Sequence, residues 1–169
     1  ILTKDEDKAC NVTYDKKNNS LKFYFEGELL SIYECESEEC SLYKNENFSY
    51  NSCLDKMTVI KDGDTYLLYD YKNAQATFDP FSEISSVKKD GKVVGFIAKN
   101  EKTEKYGYID TNGNIVIPCQ YEYASDFNDG YAIIQKNTSY LKKWGVIDKF
   151  GNEILWDETF DNIIGPVSQ

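Results

Sequence analysis

The sequence repeats itself at a nearly constant spacing, and this property constrains the fold more than any other. Segments 106–115 and 144–154 align, and each reads aromatic-Gly-x-Ile-Asp, then two intervening residues, then Gly-Asn. Their aspartates, Asp110 and Asp148, lie about 38 residues apart, a period typical of repeat architectures. A unit of this size buries its apolar face only by stacking on its neighbours, so the repeat predicts an array of packed units.

Two weaker copies precede the clear ones. The segment 66–74 has Asn73 where the later units have Gly113 and Gly151. Asn tolerates a positive φ nearly as Gly does, so we expect Asn73 to supply the left-handed residue of that turn. The segment 14–19 resembles the start of a fourth copy that matches the repeat less well. Its distance from the next copy is longer than the repeat period.

Each unit carries the signature of a β-hairpin. Short apolar runs flank an Asp-x-x-Gly turn. In the unit at 106–115 this turn contains Asn112-Gly113, and Asn-Gly is the strongest short-range hairpin signal. In such a turn the Asp accepts a hydrogen bond from the backbone two residues on, and the Gly supplies the positive φ. We therefore assign structural turn roles to five repeat residues: Asp70, Asp110, Gly113, Asp148 and Gly151.

These signals predict an all-β chain of tandem hairpin repeats of about 40 residues, forming a stacked sheet array or an open, propeller-like spiral. The glycines of the aromatic-Gly steps, Gly107 and Gly145, would let a neighbouring chain approach closely. We expect three regions: an N-terminal β cap or degenerate repeat at 1–55, the repeat domain at 56–164 and a tail at 165–169.

The clear units also agree downstream of the turn. In the unit 106–141, Pro118, Tyr121, Phe127 and Gly130 follow the Asp at set distances. The pattern resembles the WG-repeat (KWG-repeat) family over about residues 57–164. The chain departs from it at three places: Val94-Gly95, Trp156 and the shifted Asp79-Pro80. The resemblance implies a bacterial binding or scaffolding module, often within an exported protein, and it supplies no catalytic residue.

Composition removes most catalytic chemistry. The chain has no His and no Arg. Its 29 carboxylates outnumber its 19 lysines, which gives a formal charge of −10. Without His there is no Ser–His or Cys–His pair and no His-ligated zinc. Nucleic acid is not expected as a partner, because binding it depends on neutralising phosphates. Nucleotide-binding and esterase motifs are also missing, so we expect no enzyme activity, no cofactor and no metal.

Four of the five cysteines stand in the first third of the chain. Cys10, Cys35, Cys40 and Cys53 are candidates for one or two disulfides, whereas Cys119 stands apart. A four-thiolate metal site and simple packing cysteines of a cytoplasmic protein are the alternatives.

The cellular location of the protein is predicted from its apolar runs and from its first residue. No apolar run approaches the roughly 20 residues that a membrane helix needs. The sequence begins at Ile1 without an initiator Met, so we expect an upstream signal peptide or lipid anchor. An extracellular or cell-envelope location is therefore predicted, with the cytoplasm as the alternative.

A repeated β scaffold with an acidic surface is typical of a binding module, and the predicted partner is another protein or a cell-wall or host glycan. Aromatics near turns or off the repeat pattern are the candidate contacts: Trp156, Tyr123, Tyr131 and Tyr140. The same residues are also compatible with simple core or surface packing. A structural spacer and a carboxylate-based glycan hydrolase are the rival functions.

Overall fold

The computed structural model describes residues 11–43, 57–76, 80–137 and 141–157. Within these ranges every regular element is a β-strand and no helix occurs, so the prediction of an all-β fold is confirmed. No helix in these ranges is long and apolar enough to cross a membrane. The strands are β1 (Asn11–Asp15), β2 (Ser20–Phe25), β3 (Glu28–Glu34), β4 (Cys40–Leu42), β5 (Thr58–Asp62), β6 (Thr65–Asp70), β7 (Gln75–Ala76), β8 (Phe81–Lys89), β9 (Lys92–Asn100), β10 (Tyr106–Asp110), β11 (Ile115–Tyr121), β12 (Tyr123–Ala124), β13 (Tyr131–Asn137), β14 (Lys142–Asp148) and β15 (Glu153–Asp157).

The chain divides into two compact units. Unit 1 comprises Ile1–Ser82 with Thr111–Gly113, and unit 2 comprises Glu83–Asp110 with Asn114–Gln169. The division at 55 and 164 stays a prediction.

Unit 1 is built from antiparallel hairpins. Strands β1, β2 and β3 form one sheet in that order, while β5 pairs with β4 and β6, and β7 pairs with β6. Aromatic rings fill its interior, with Phe23 between Tyr69 and Tyr71 at centroid distances of 5.0 and 5.9 Å. Together with Leu21 and Ile60 these residues form the buried core of the unit.

Unit 2 holds the strands of the two clear repeats. Strands β8, β9, β10 and β11 are successive antiparallel neighbours, and β12, β13, β14 and β15 form a second antiparallel sheet in chain order. Alternate residues along these strands face the interior. They form one cluster of buried side chains: Val87, Ile97, Tyr108, Ile117, Tyr121, Ala132, Ile134 and Ile147.

The repeat aspartates sit at the hairpin turns. Asp148 accepts hydrogen bonds from the amide and the side chain of Asn152, both at 2.9 Å. Asp110 accepts the corresponding two bonds from Asn114, at 2.9 and 3.3 Å. The glycine of each turn has a φ of 85°, which favours a residue without a Cβ: Gly113 and Gly151.

The two weaker copies use a related but distinct turn. Asp70 accepts a bond from the side chain of Asn73 at 2.8 Å, and Asp15 has an equivalent asparagine partner at the same distance. The positive φ falls one residue later than in the clear repeats, at Ala74 (55°) and Asn19 (49°). The expectation that Asn73 supplies the left-handed residue was wrong. Its side chain is bonded to the aspartate, and the residue after it makes the reversal.

A glycine in β14 permits a close approach that matters for the site. Gly145 pairs with Trp156 of β15, and a Cβ added there would lie 2.7 Å from both the Trp156 ring and the Leu155 carbonyl oxygen. Gly107 plays the same part in β10, where a Cβ would lie 2.5 Å from the carbonyl of Ile117. The glycine of the aromatic-Gly step therefore lets the next strand approach it closely.

Candidate functional site

Unit 2 contains an open cleft of about 340 Å³. Strands β11, β13, β14 and β15 supply most of its lining, and the segment before β10 supplies one lysine. A cleft of this volume is at the lower end of the range for small-ligand pockets, about 300 to 1,000 Å³. The lining side chains are mostly polar and include one tryptophan: Lys105, Gln120, Lys136, Asn137, Lys143, Glu153 and Trp156.

The indole of Trp156 is held in place from two sides. Its ring lies against Gly145, which pairs in turn with Ile134 on β13, so the indole packs at the margin of the unit 2 core. Its Nε1 donates a hydrogen bond to Oε2 of Glu153 at 2.8 Å. Trp156 is therefore half-buried and fixed in orientation, which lowers the entropic cost of binding a ligand beside it.

Glu153 is the hub of the polar contacts in the cleft. Its Oε1 accepts hydrogen bonds from Nζ of Lys136 at 2.6 Å and from the hydroxyl of Tyr121 at 3.4 Å. The Lys136 bond and the Trp156 bond lower the pKa of Glu153 below its ordinary value, against the opposing effect of burial. The carboxylate consequently stays ionised at neutral pH.

The lysines of the cleft are ordered by their neighbours. Nζ of Lys136 lies 5.2 Å from the centroid of the Trp156 ring and 5.4 Å from that of Tyr121, within the range of cation–π attraction. Lys105 is hydrogen-bonded to Glu122. Lys136 therefore lies beside both rings, and Lys105 and Lys136 are each paired with a carboxylate.

The described aromatics proposed as contacts do not lie together. Tyr123 packs edge-on against Trp144 with centroids 5.5 Å apart, and Trp144 precedes Gly145 on β14. Successive strand residues face opposite sides, so Tyr123 lies on the sheet face opposite Trp156. Tyr131, 51% exposed, lies on the same side as Tyr123 by the register of β13 with β12. Tyr140 lies outside the described residues.

Sequence reasoning missed the polar half of the cleft: Lys105, Gln120, Lys136, Asn137, Lys143 and Glu153. One signal was present. Lys105 and Lys143 each stand immediately before the aromatic-Gly step of their repeat, so they are equivalent positions of successive units. Their convergence on one cleft depends on how β10 and β14 pack, which the repeat alignment alone does not give.

Unit 1 holds a second organised polar site. The carboxylate of Asp62, 5% exposed, accepts bonds from the Tyr33 hydroxyl at 2.7 Å, the Glu36 amide at 2.9 Å and the Ser37 amide at 2.8 Å. The two amides belong to the loop closed by the disulfide between Cys35 and Cys40. Asp62 therefore stabilises this loop through two of its three hydrogen bonds.

The remaining cysteines and the possible metal ligands were compared with the predictions from the sequence. Cys119 is a partly buried free thiol, and burial raises the pKa of its thiol, which makes it less reactive. Cys10 and Cys53 lie outside the described residues, so their pairing stays a prediction. Across the described ranges, no group of three or more His, Cys, Asp or Glu side chains is arranged to hold a metal ion.

The geometry defines an all-β repeat protein with a polar cleft at its last repeats. A family model described as "WG containing repeat" matches residues 106–140, so the chain contains a WG repeat and the resemblance is confirmed over that unit. No curated protein matches the chain.

Among solved structures, the chain is similar to a protein of unknown function from Bacteroides caccae. The identity is 12% and the TM-score is 0.33, over 89% of this chain and 61% of that protein. The chain therefore spans less than two thirds of the length of this relative, and the similarity is too low to assign a shared fold.

Proposed function

We propose that this chain is a non-catalytic binding module of an exported or envelope-located bacterial protein, and that it binds a glycan in the Trp156 cleft. The observation that carries the proposal is the fixed indole of Trp156 with hydrogen-bonding side chains around it. A sugar ring presents apolar C–H faces and a rim of hydroxyl groups. An aromatic side chain beside amide, lysine and carboxylate groups complements both surfaces.

The size of the cleft favours a glycan over a protein partner. A specific protein interface buries about 800 Å² on each side. A cleft of about 340 Å³ is instead within the size range of small-ligand pockets, about 300 to 1,000 Å³. The polar lining points the same way, since the centres of protein interfaces are usually depleted of Lys and Glu.

Binding without hydrolysis is supported by the state of the carboxylates. A glycoside hydrolase needs one protonated carboxylic acid with a raised pKa close to the scissile bond. The pKa of Glu153 is lowered instead, and Glu122 is paired with Lys105. The repeat aspartates Asp110 and Asp148 accept bonds within their own turns.

Export is supported by the Cys35–Cys40 disulfide, because disulfides persist in oxidising compartments and are rare in the cytosol. The WG repeat at 106–140 is compatible with such a module and assigns it no ligand.

The test is retention of the purified chain on an immobilised panel of neutral and acidic oligosaccharides, together with fractionated envelope polysaccharides. We expect saturable binding that Trp156→Ala abolishes. Leu155→Ala is the matched control, because Leu155 is the neighbouring residue on β15, is 56% exposed and is not part of the cleft lining. Each variant's thermal unfolding is recorded to confirm that it is folded.

Equal binding by the Trp156→Ala and Leu155→Ala variants would contradict the proposal. Binding to none of the panel would favour a structural spacer, the rival function. New reducing ends in the bound glycan would show hydrolysis and reject a non-catalytic role.

A further inference from the structure

The two repeats of unit 2 stack sheet on sheet, and one row of side chains makes the contact. In the preceding repeat, Ile97, Tyr108 and Ile117 form a row across β9, β10 and β11. All three side chains are buried, because they pack in one cluster with side chains of β13 and β14. Each repeat therefore offers an apolar row on which the next sheet is laid.

The last sheet, β12–β15, carries an equivalent row, made of Ile133, Val146 and Leu155. The repeat alignment and the strand pairing place each residue at the position of its counterpart in the preceding row. Ile133 and Val146 are only half-buried, and Leu155 is 56% exposed where Ile117 is 2% exposed. We call the side of the last sheet that bears this row the open face.

The neighbour of Leu155 provides an internal comparison. Ile154 is 54% exposed, and Val116, at the same position of the preceding repeat, is 44% exposed. This position is thus exposed in both repeats, because it lies off the row. Leu155 differs from its counterpart because Ile117 is covered by the next sheet.

The open face is apolar in its middle and oppositely charged at its two ends. Alternate residues of β14 lie on it in the order Lys142, Trp144, Val146, Asp148. Lys142 is exposed at the start of the strand, and Asp148 lies at its turn end. A copy of this face turned end for end therefore presents a negative charge to each positive one.

We propose that the open face is a dimer interface, and that its occupant is the open face of a second copy of this chain. A two-fold axis that sets the two β14 strands antiparallel lays the apolar rows on each other, as one further layer of the stack within unit 2. The same axis brings Lys142 of each copy to the Asp148 end of the other. The formal charge of −10 opposes association, but charges more than about 8 Å apart are screened at physiological salt.

The experiment is sedimentation velocity of the intact chain from about 1 to 300 µM in about 0.15 M NaCl, a range suited to a small interface. We expect a reversible monomer–dimer equilibrium. Leu155→Lys should weaken it about tenfold or more, because a charge enters the apolar contact twice in each dimer. Ile154→Lys is the matched control and should leave the dimer nearly unchanged, since Ile154 is equally exposed and lies off the row.

A second pair of variants tests the charged ends. Lys142→Glu places like charges at both ends of the contact and should weaken the dimer about tenfold, whereas Lys89→Glu on β8 makes the same change in net charge away from the open face. Thermal unfolding of every variant confirms that it is folded.

The outcomes are distinct from those of the glycan test, because Trp156 lies on the other side of this sheet. A dimer that Leu155→Lys and Ile154→Lys weaken equally, or that neither weakens, would place the contact elsewhere and overturn the inference. A monomer at every concentration would also overturn it. If Leu155→Lys then lowered the thermal midpoint and Ile154→Lys did not, the face would be covered within a single chain.

Discussion

The buried carboxylate of Asp62 should control the stability of unit 1, and Asp62→Asn is the substitution that tests this. The carboxylate accepts three hydrogen bonds, two of them from backbone amides of the disulfide loop. An asparagine side chain has the same shape but only one acceptor oxygen. In its better orientation the oxygen keeps the Tyr33 and Glu36 bonds, and the new NH₂ group faces the amide of Ser37.

The magnitude follows from these contacts. Losing a hydrogen bond to a charged group costs about 1.5 to 3 kcal/mol, and a buried donor left without an acceptor adds to this, so we expect about 2 to 4 kcal/mol. With an m value of about 2 kcal/mol per M, the urea midpoint should fall by about 1 to 2 M. Tyr33→Phe removes one of the three hydrogen bonds to this charged group and should cost about 1.5 to 3 kcal/mol.

Urea unfolding followed by far-UV circular dichroism measures the change, and amide hydrogen exchange at Ser37 reports the local loosening. Asp64→Asn is the control, since Asp64 lies in the same β5–β6 turn and is exposed. A midpoint shift below about 0.25 M for Asp62→Asn, or one equal to that of Asp64→Asn, would refute the reasoning.

Three further predictions concern the turns, the disulfide and the strand glycine. Reduction of the Cys35–Cys40 bridge should lower the free energy of unfolding by about 2 kcal/mol, because it closes a short loop, and urea unfolding with and without reductant measures this. Hydrogen bonds from Asn18, and secondly from Lys22, lower the pKa of Asp15 to about 2. The ionised Asp15 therefore stabilises the fold above the unfolded pKa of 3.8, and this stabilisation is lost as the pH falls towards 2. Asp15→Asn should flatten that part of the profile of stability against pH. Gly145→Ala should cost about 1 to 3 kcal/mol, since its Cβ would overlap the next strand, and should alter the near-UV dichroism of the tryptophans.

Local turn chemistry explains what could be predicted from the sequence. Asp-x-x-Gly-Asn encodes its own reversal within five residues, so Asp110 and Asp148 could be placed at turns without knowledge of the packing. The same reasoning misplaced the positive φ at Asn73, because the weaker copy turns one residue later than the clear repeats do. Asn73 bonds to Asp70 through its side chain, and Ala74 has the positive φ.

The cleft could be predicted only in part. Trp156 was recognisable as a departure from the repeat pattern, but its neighbours come from strands distant in sequence. Gln120 of β11 meets Glu153 through the hydroxyl of Tyr121, a contact that depends on the packing of strands and not on spacing along the chain. Tyr123 looked equivalent to Trp156 in sequence, and strand alternation places it on the other face.

The central claim is that ligand binds beside Trp156, and the chain offers an internal comparison because it has only two tryptophans, Trp144 and Trp156. Their indole N–H groups give two separate signals in a ¹⁵N-correlated NMR spectrum, to be followed during titration with the oligosaccharide selected by the panel. The account predicts a saturable shift of the Trp156 signal, whose proton is bonded to Glu153, with little change at Trp144 on the opposite face. A shift confined to Trp144, or no shift of either signal at a saturating concentration of a retained glycan, would contradict it.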